Sequence, residues 1–163
     1  MRALVVTQNI TVDGSIEMLA DWFDPEGQGD QSDLLEELHR QDSRSDAFLT
    51  GCQTFEDLRS YWPKQSDDTS GITKYLNEVR KYVVSSTITD PQWENTTILS
   101  GDPVQQVQEL KEQQGQDIVV TGSITLCHTL INAGLVESTG YLSIPPYRAG
   151  VAGYFPMALR SRG

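Results

Sequence analysis

Four short runs of aliphatic and β-branched residues recur along the chain, and each run but the third leads through a turn into a helical pattern. They are Ala3-Leu4-Val5-Val6, Ala47-Phe48-Leu49-Thr50, Lys81-Tyr82-Val83-Val84-Ser85 and Asp117-Ile118-Val119-Val120-Thr121. Each core is continuously apolar rather than alternating, which suits strands covered by helices on both faces. The pattern predicts an α/β fold around a mainly parallel sheet. A weaker strand is expected at Thr97-Ile98-Leu99. A chain of 163 residues suits a single domain with one buried sheet.

Helical patterns fall between the runs. Asp33 to Arg44 follows Asp30 and Ser32, either of which can cap it, and turns Leu34, Leu35 and Leu38 inward. Thr54 to Trp62 places Phe55, Leu58 and Trp62 on one face before Pro63 stops it. Asp102-Pro103 opens a third helix that buries Val104, Val107 and Leu110. Ser123 is expected to cap a fourth, with Ile124, Cys127 and Ile131 on one stripe and Gly134 at its end. The stretches 24–30 and 64–71 read as mobile loops.

Charge narrows the partners. Lysine and arginine number 12 against 23 acidic residues, a net charge of −11. This argues against nucleic acid and against an anionic membrane surface. No apolar run is long enough to span a bilayer, and Cys52 and Cys127 form neither a disulfide framework nor a metal-ligand spacing. A reducing, cytoplasmic compartment is expected, with no metal.

Two strand–helix junctions share one design. Phe48-Leu49-Thr50-Gly51 passes through Cys52 and Gln53 into the helix at Thr54, and Val119-Val120-Thr121-Gly122 passes through Ser123 into the helix at Ile124. Each leaves unpaired N–H groups at the carboxyl edge of the sheet, where a helix start attracts phosphate. The glycines would let a ligand approach the backbone. Two such turns on one edge could hold both ends of a pyrophosphate. Strand–Gly–helix turns are also ordinary connectors, and neither junction is a G-x-G-x-x-G or Walker loop. His39 and His128 read as structural or exposed. Trp62 and Trp93 read as packing residues, although a tryptophan bordering a pocket can stack on a flat ring.

Four segments carry a resemblance. Gln8 to Glu17, Gly51-Cys52-Gln53-Thr54-Phe55-Glu56 with Tyr61-Trp62, Lys81 to Thr87, and Gly122-Ser123-Ile124-Thr125-Leu126 with Gly134-Leu135-Val136 resemble the dihydrofolate-reductase-like family. More narrowly, they are similar to its bacterial branch related to the reductase domain of the bifunctional riboflavin-biosynthesis deaminase-reductase. The match runs in order from residue 1 to about 137.

The resemblance implies a three-layer sandwich, an NADPH site and hydride transfer to a pterin or pyrimidine-like ring. Gly51, Cys52, Gln53, Thr54, Thr121, Gly122, Ser123, Ile124 and Thr125 would grip the cofactor, with Ser85 and Ser86 facing its ribose. Asn9, Thr11, Asp13, Gly14 and Trp62 would line the substrate side. Asp13 is the first candidate proton donor and Glu17 the second. The family often has an arginine where this chain has Cys52, so NADH becomes an alternative cofactor unless Lys81 or Arg80 supplies the missing cation. A homodimer is expected. The alternative is a catalytically inactive nucleotide-binding homodimer of the same fold, and a third reading is a dimer-forming structural protein.

The tail breaks the pattern. After Glu137 come 26 residues with no acidic side chain, three arginines and a Pro145-Pro146 pair. Permissible codons read in a neighbouring frame restore the family's tail, so a one-base deletion after Val136 would explain residues 137–163. The domain is therefore drawn at 1–137, with an atypical tail at 138–163 that reads as frameshifted. That tail is expected to be irregular, or at best one short strand near Tyr141 to Ile144, leaving the C-terminal strands disrupted and stability reduced.

Overall fold

The computed structural model describes residues 1–10, 36, 39, 40 and 42–143. Six strands form one sheet: β1 Leu4–Ile10, β2 Ser45–Gly51, β3 Arg80–Val84, β4 Thr96–Leu99, β5 Asp117–Thr121 and β6 Ser138–Ser143. Their order is β4-β3-β2-β5-β1-β6, and all five pairings are parallel. Among the described residues after β2, four α-helices accompany them: α1 Cys52–Tyr61, α2 Ile72–Glu78, α3 Pro103–Glu112 and α4 Ile124–Asn132. The α/β architecture read from the apolar runs is the one found. Of the helix expected over 33–44, the described residues Glu36, His39, Arg40 and Asp42 are helical.

The side-chain period of two divides the sheet residues between two layers. Leu4, Val6, Ala47, Leu49, Ile118 and Val120 face Val107 and Leu110 of α3 and Leu126, Cys127 and Leu130 of α4. Phe48, Val83 and Val119 face the other way, onto Phe55 of α1, Leu76 of α2, and Val79 and Trp93. Thus α1 and α4, which leave the neighbouring strands β2 and β5, depart to opposite faces. In a parallel sheet this divergence opens a crevice at the carboxyl ends of the two strands.

Three departures from expectation have physical causes. The helix α2 carries too few residues to announce itself by periodicity; it forms because Ile72, Tyr75 and Leu76 pack on the second layer. Its start is organised by Asp68, whose carboxylate accepts the N–H groups of Ser70 and Thr73, each at 2.8 Å. Burial raises the Asp68 pKa, but these bonds and the Ser70 hydroxyl outweigh it and hold the group at about 2. So the stretch read as a loop is an ordered turn. Strand β1 runs four residues beyond its apolar core, through Thr7, Gln8, Asn9 and Ile10: β5 flanks it as far as Thr7, and β6 carries the pairing on to Ile10.

The third departure lies in the tail. Strand β6 begins at Ser138, three residues before the expected start, and pairs with β1 from Val5↔Ser138 to Ile10↔Ser143. Glu137, just ahead of it, is built into the sheet: its N–H donates to the Leu4 carbonyl at 3.1 Å and its carboxylate accepts the Leu4 N–H at 2.7 Å. The same carboxylate pairs with the buried Lys111, which also donates to the Leu135 carbonyl. Residues 144–163, including the expected irregular stretch, lie outside the described residues. Among the described residues, no helix is long and apolar enough to cross a membrane.

Candidate functional site

The two junctions meet. The Gly51 N–H donates to Ser123 Oγ at 2.7 Å, while Ser123 donates from its N–H and its Oγ to Thr54 Oγ1 at 3.0 and 2.9 Å. Seventy-two residues of chain separate Gly51 from Ser123, yet the sheet sets their strands side by side. A third strand joins them: Gln8 of β1 accepts the Gly122 N–H at 3.0 Å, and Thr121 Oγ1 donates to the Thr7 carbonyl at 2.7 Å.

This lacing corrects two expectations. Ser123 sits at the start of α4, but its hydroxyl makes no bond to that helix's own N–H groups. It serves the neighbouring junction instead. Gly51, at the start of α1, likewise supplies no side-chain cap. Both helices therefore present uncapped first-turn N–H groups at one rim, where their dipoles favour an anion. The glycines are also used differently. A Cβ on Gly122, whose φ is +59°, would lie 2.9 Å from Thr54 Cγ2, and one on Gly51 would lie 3.3 Å from Ser123 Oγ. They admit the opposite junction rather than a ligand.

A cleft of about 310 Å³ adjoins the rim at the ends of β3 and β4. Cys52, Val84, Ser85, Ser86, Thr87, Leu99, Ser100, Gly101 and Pro103 line it. Cys52 is both the first residue of α1 and part of this wall, so the cleft continues directly from the helix start. Its Sγ stands 3.9 Å from Thr87 Oγ1. The Ser85 hydroxyl accepts the N–H groups of Thr87 and Ile88 at 3.2 and 3.1 Å and so shapes the loop, while Ser86 is exposed.

The remaining candidates divide clearly. Gln53 and Thr125 are exposed on the first turns of α1 and α4, and the Gln53 amide donates to Asp57 Oδ1 at 2.9 Å. The Ile124 side chain packs into the core, which leaves its backbone for the rim. Trp62 is separated from Cys52 by the length of α1, about 15 Å at 1.5 Å per residue, and packs on the second layer with Leu58 and Tyr75. The structure does not bring it to the rim. Trp93 is a packing residue, 5.8 Å from the Phe55 ring, with its Nε1 donating to Asn77 Oδ1. Asn9 lies in β1 opposite Leu142, whereas Thr11, Asp13, Gly14 and Glu17 lie outside the described residues.

Neither cation suggested for the Cys52 position can serve there. Arg80 and Lys81 begin β3, at the opposite rim from Ser85. Arg80 pairs with Asp46, which also pairs with the buried Arg2. Lys81 is buried, donates to the carbonyls of Leu76 and Val79 at 2.6 and 3.1 Å, and lies 4.8 Å from the centre of the Trp93 ring. Burial pushes its pKa down to about 8, against a weaker opposing effect from Glu94. Sequence reading also passed over Thr7 and Gln8 as rim residues. Their signal is polarity inside a strand, since both are buried.

Comparison with known proteins agrees with this architecture. The chain is similar to the Schistosoma mansoni dihydrofolate reductase, with a TM-score of 0.55 at 12% identity over 91% of this chain and 79% of that one. A Thermotoga maritima diaminohydroxyphosphoribosylaminopyrimidine deaminase/5-amino-6-(5-phosphoribosylamino)uracil reductase gives a TM-score of 0.57 at 12% identity, covering 94% of this chain. This chain spans about half of that bifunctional protein, 48% of its length. In sequence, it is 31% identical over 155 residues to YyaP, an uncharacterized protein of Bacillus subtilis, covering 91% of this chain and 77% of YyaP. The family model described as the RibD C-terminal domain matches residues 2–147, reaching past Glu137 into the tail. By that match, which takes in nearly the whole chain, this protein belongs to the RibD C-terminal domain family.

Proposed function

We propose that this protein is an NAD(P)H-dependent reductase that delivers hydride to a pterin or pyrimidine-like ring. The observation that carries the reading is the meeting of two uncapped helix starts, α1 and α4, at the crevice between β2 and β5. Membership of a family of reductase domains supports it.

The residues present fit a dinucleotide. First-turn N–H groups of Cys52, Gln53 and Thr54 on one side, and of Ile124 and Thr125 on the other, would bond the pyrophosphate oxygens. The cleft beyond Cys52 would receive the adenosine ribose against Ser86 and Thr87. When bound, a reduced nicotinamide supplies the hydride, and this chain's contribution is positioning. The lacing of Gly51, Thr54 and Ser123 fixes the distance between the two anion-binding turns, so little reorganisation is needed when the cofactor arrives. Strand β1 brings the chain to the same rim at Ile10, beside Gln8 and Gly122. Residues Asn9, Thr11, Asp13 and Gly14 are accordingly assigned to the acceptor ring, with Asp13 first and Glu17 second as proton donor.

The test has two steps. Calorimetric titration with NADPH and NADH should show saturable binding that is lost on disrupting the rim. Loss of reduced-nicotinamide absorbance on adding pterin or aminopyrimidine acceptors should then reveal turnover. Binding without turnover on any such ring would instead favour the inactive nucleotide-binding alternative.

A further inference from the structure

We infer that the cleft beside Cys52 accepts an adenosine ribose bearing free hydroxyls, so that this protein binds NADH in preference to NADPH. The inference rests on the dinucleotide reading above and adds which dinucleotide the site selects.

The wall of the cleft is neutral. Its polar members are hydroxyls and backbone groups, and no lysine or arginine lines it among the described residues. A ribose 2′-phosphate would bring a charge of about −1.5 to −2 into this space. In this open cleft the phosphate would find hydroxyl donors but no cation, and so would gain none of the charge-assisted bonds that favour a phosphorylated ribose. Exposed hydroxyls on Ser86, Thr87 and Ser100 suit a vicinal diol, which both donates and accepts.

A carboxylate also stands next to this neutral wall. Gly101 and Pro103 line the cleft, and Asp102 lies between them. Its carboxylate is held at the start of α3 by accepting the Gln105 N–H at 2.9 Å. That bond takes up the Gln105 N–H, one of the donors the α3 start could offer an anion, and it fixes a like charge within one residue of the wall. The α1 start cannot compensate, because in this reading its N–H groups hold the pyrophosphate. The cations that might have compensated are elsewhere, Arg80 on Asp46 and Lys81 on two carbonyls. Both begin β3 and the cleft loop follows its end at Ser85, four and five residue steps on, a span on the order of 13–16 Å.

The test is isothermal titration of the full chain with NADH and with NADPH, on the wild type and two variants. The expected result is a dissociation constant for NADPH about tenfold or more above that for NADH. Asp102→Asn, which keeps a good helix cap, should narrow that ratio. Cys52→Arg should tighten NADPH by about 10- to 100-fold while NADH changes little, since a charge-assisted bond is worth that much. Wild-type protein binding NADPH as tightly as NADH, or more tightly, would overturn the inference and leave the dinucleotide reading standing. Failure to bind either dinucleotide would instead remove the dinucleotide reading itself.

Discussion

Ser123 and Thr54, 69 residues apart in sequence, are joined by two hydrogen bonds into the single oxygen Thr54 Oγ1. Replacing Thr54 by valine keeps the shape but strands both Ser123 donors. A loss of about 1–3 kcal/mol is expected. Urea denaturation measures it, and a titration on the same variant should show weakened dinucleotide binding. Unchanged stability would mean that the two junctions are not held together through this oxygen.

Gly122→Ala meets two obstacles at once, a positive φ and a Cβ 2.9 Å from Thr54 Cγ2. The left-handed conformation alone costs an alanine about 1–2 kcal/mol. Steric contact should add to that, for a total of at least about 2 kcal/mol. Thr54→Ser removes the offending methyl while keeping the hydroxyl. In a double-mutant cycle, the pair should therefore lose less than the sum of the singles, by roughly 0.5 kcal/mol or more. Strict additivity would show that the methyl contact contributes nothing.

Glu137 gives the fold an acid-sensitive clasp. Burial alone would raise its pKa, but the bonds from Lys111 and from the Leu4 N–H bring it below its ordinary value. A carboxylate with a depressed folded-state pKa contributes stability that is complete above its unfolded value near 4.5 and is lost as pH falls through the folded value. Glu137→Gln should be less stable than wild type near neutrality and should lose less stability on acidification. Parallel urea melts between pH 3 and pH 7 would show the two curves converging at the acid end.

Lys81 predicts a slope of the same sign on the alkaline side. Its folded-state pKa is about 8 against 10.5 in the unfolded chain, so between those values the unfolded state binds more protons. Stability contributed by this group therefore rises as pH increases from about 8 to 10.5. Lys81→Met should abolish that rise, as read by denaturation midpoints across the window. A wild type and variant that run parallel there would place the proton elsewhere.

The strands were legible because burial on both faces demands uninterrupted apolar residues, and Val5-Val6, Val83-Val84 and Val119-Val120 supply them. The two junctions were legible as local turns, but their contact was not. Nothing in Phe48 to Thr54 encodes that Ser123 will bond Gly51, because the pairing follows from β2 and β5 becoming neighbours. The same holds for α2, whose seven residues form only on a layer built by distant strands. The start of strand β6 was obscured by Ser138, Thr139 and Gly140, two polar residues and a glycine, which pair with Val5, Val6 and Thr7 of β1. The proposed acceptor side at Thr11 to Glu17 was read wholly by likeness.

The divergence of α1 and α4 to opposite faces has a mechanical consequence. Each face of the sheet holds one half of the proposed anion cradle, Phe55 anchoring one helix and Leu126 and Leu130 the other. A tilt of either layer is carried through Ser123 and Thr54 to its counterpart. Repacking on one side of the molecule should thus be felt by a ligand gripped from both.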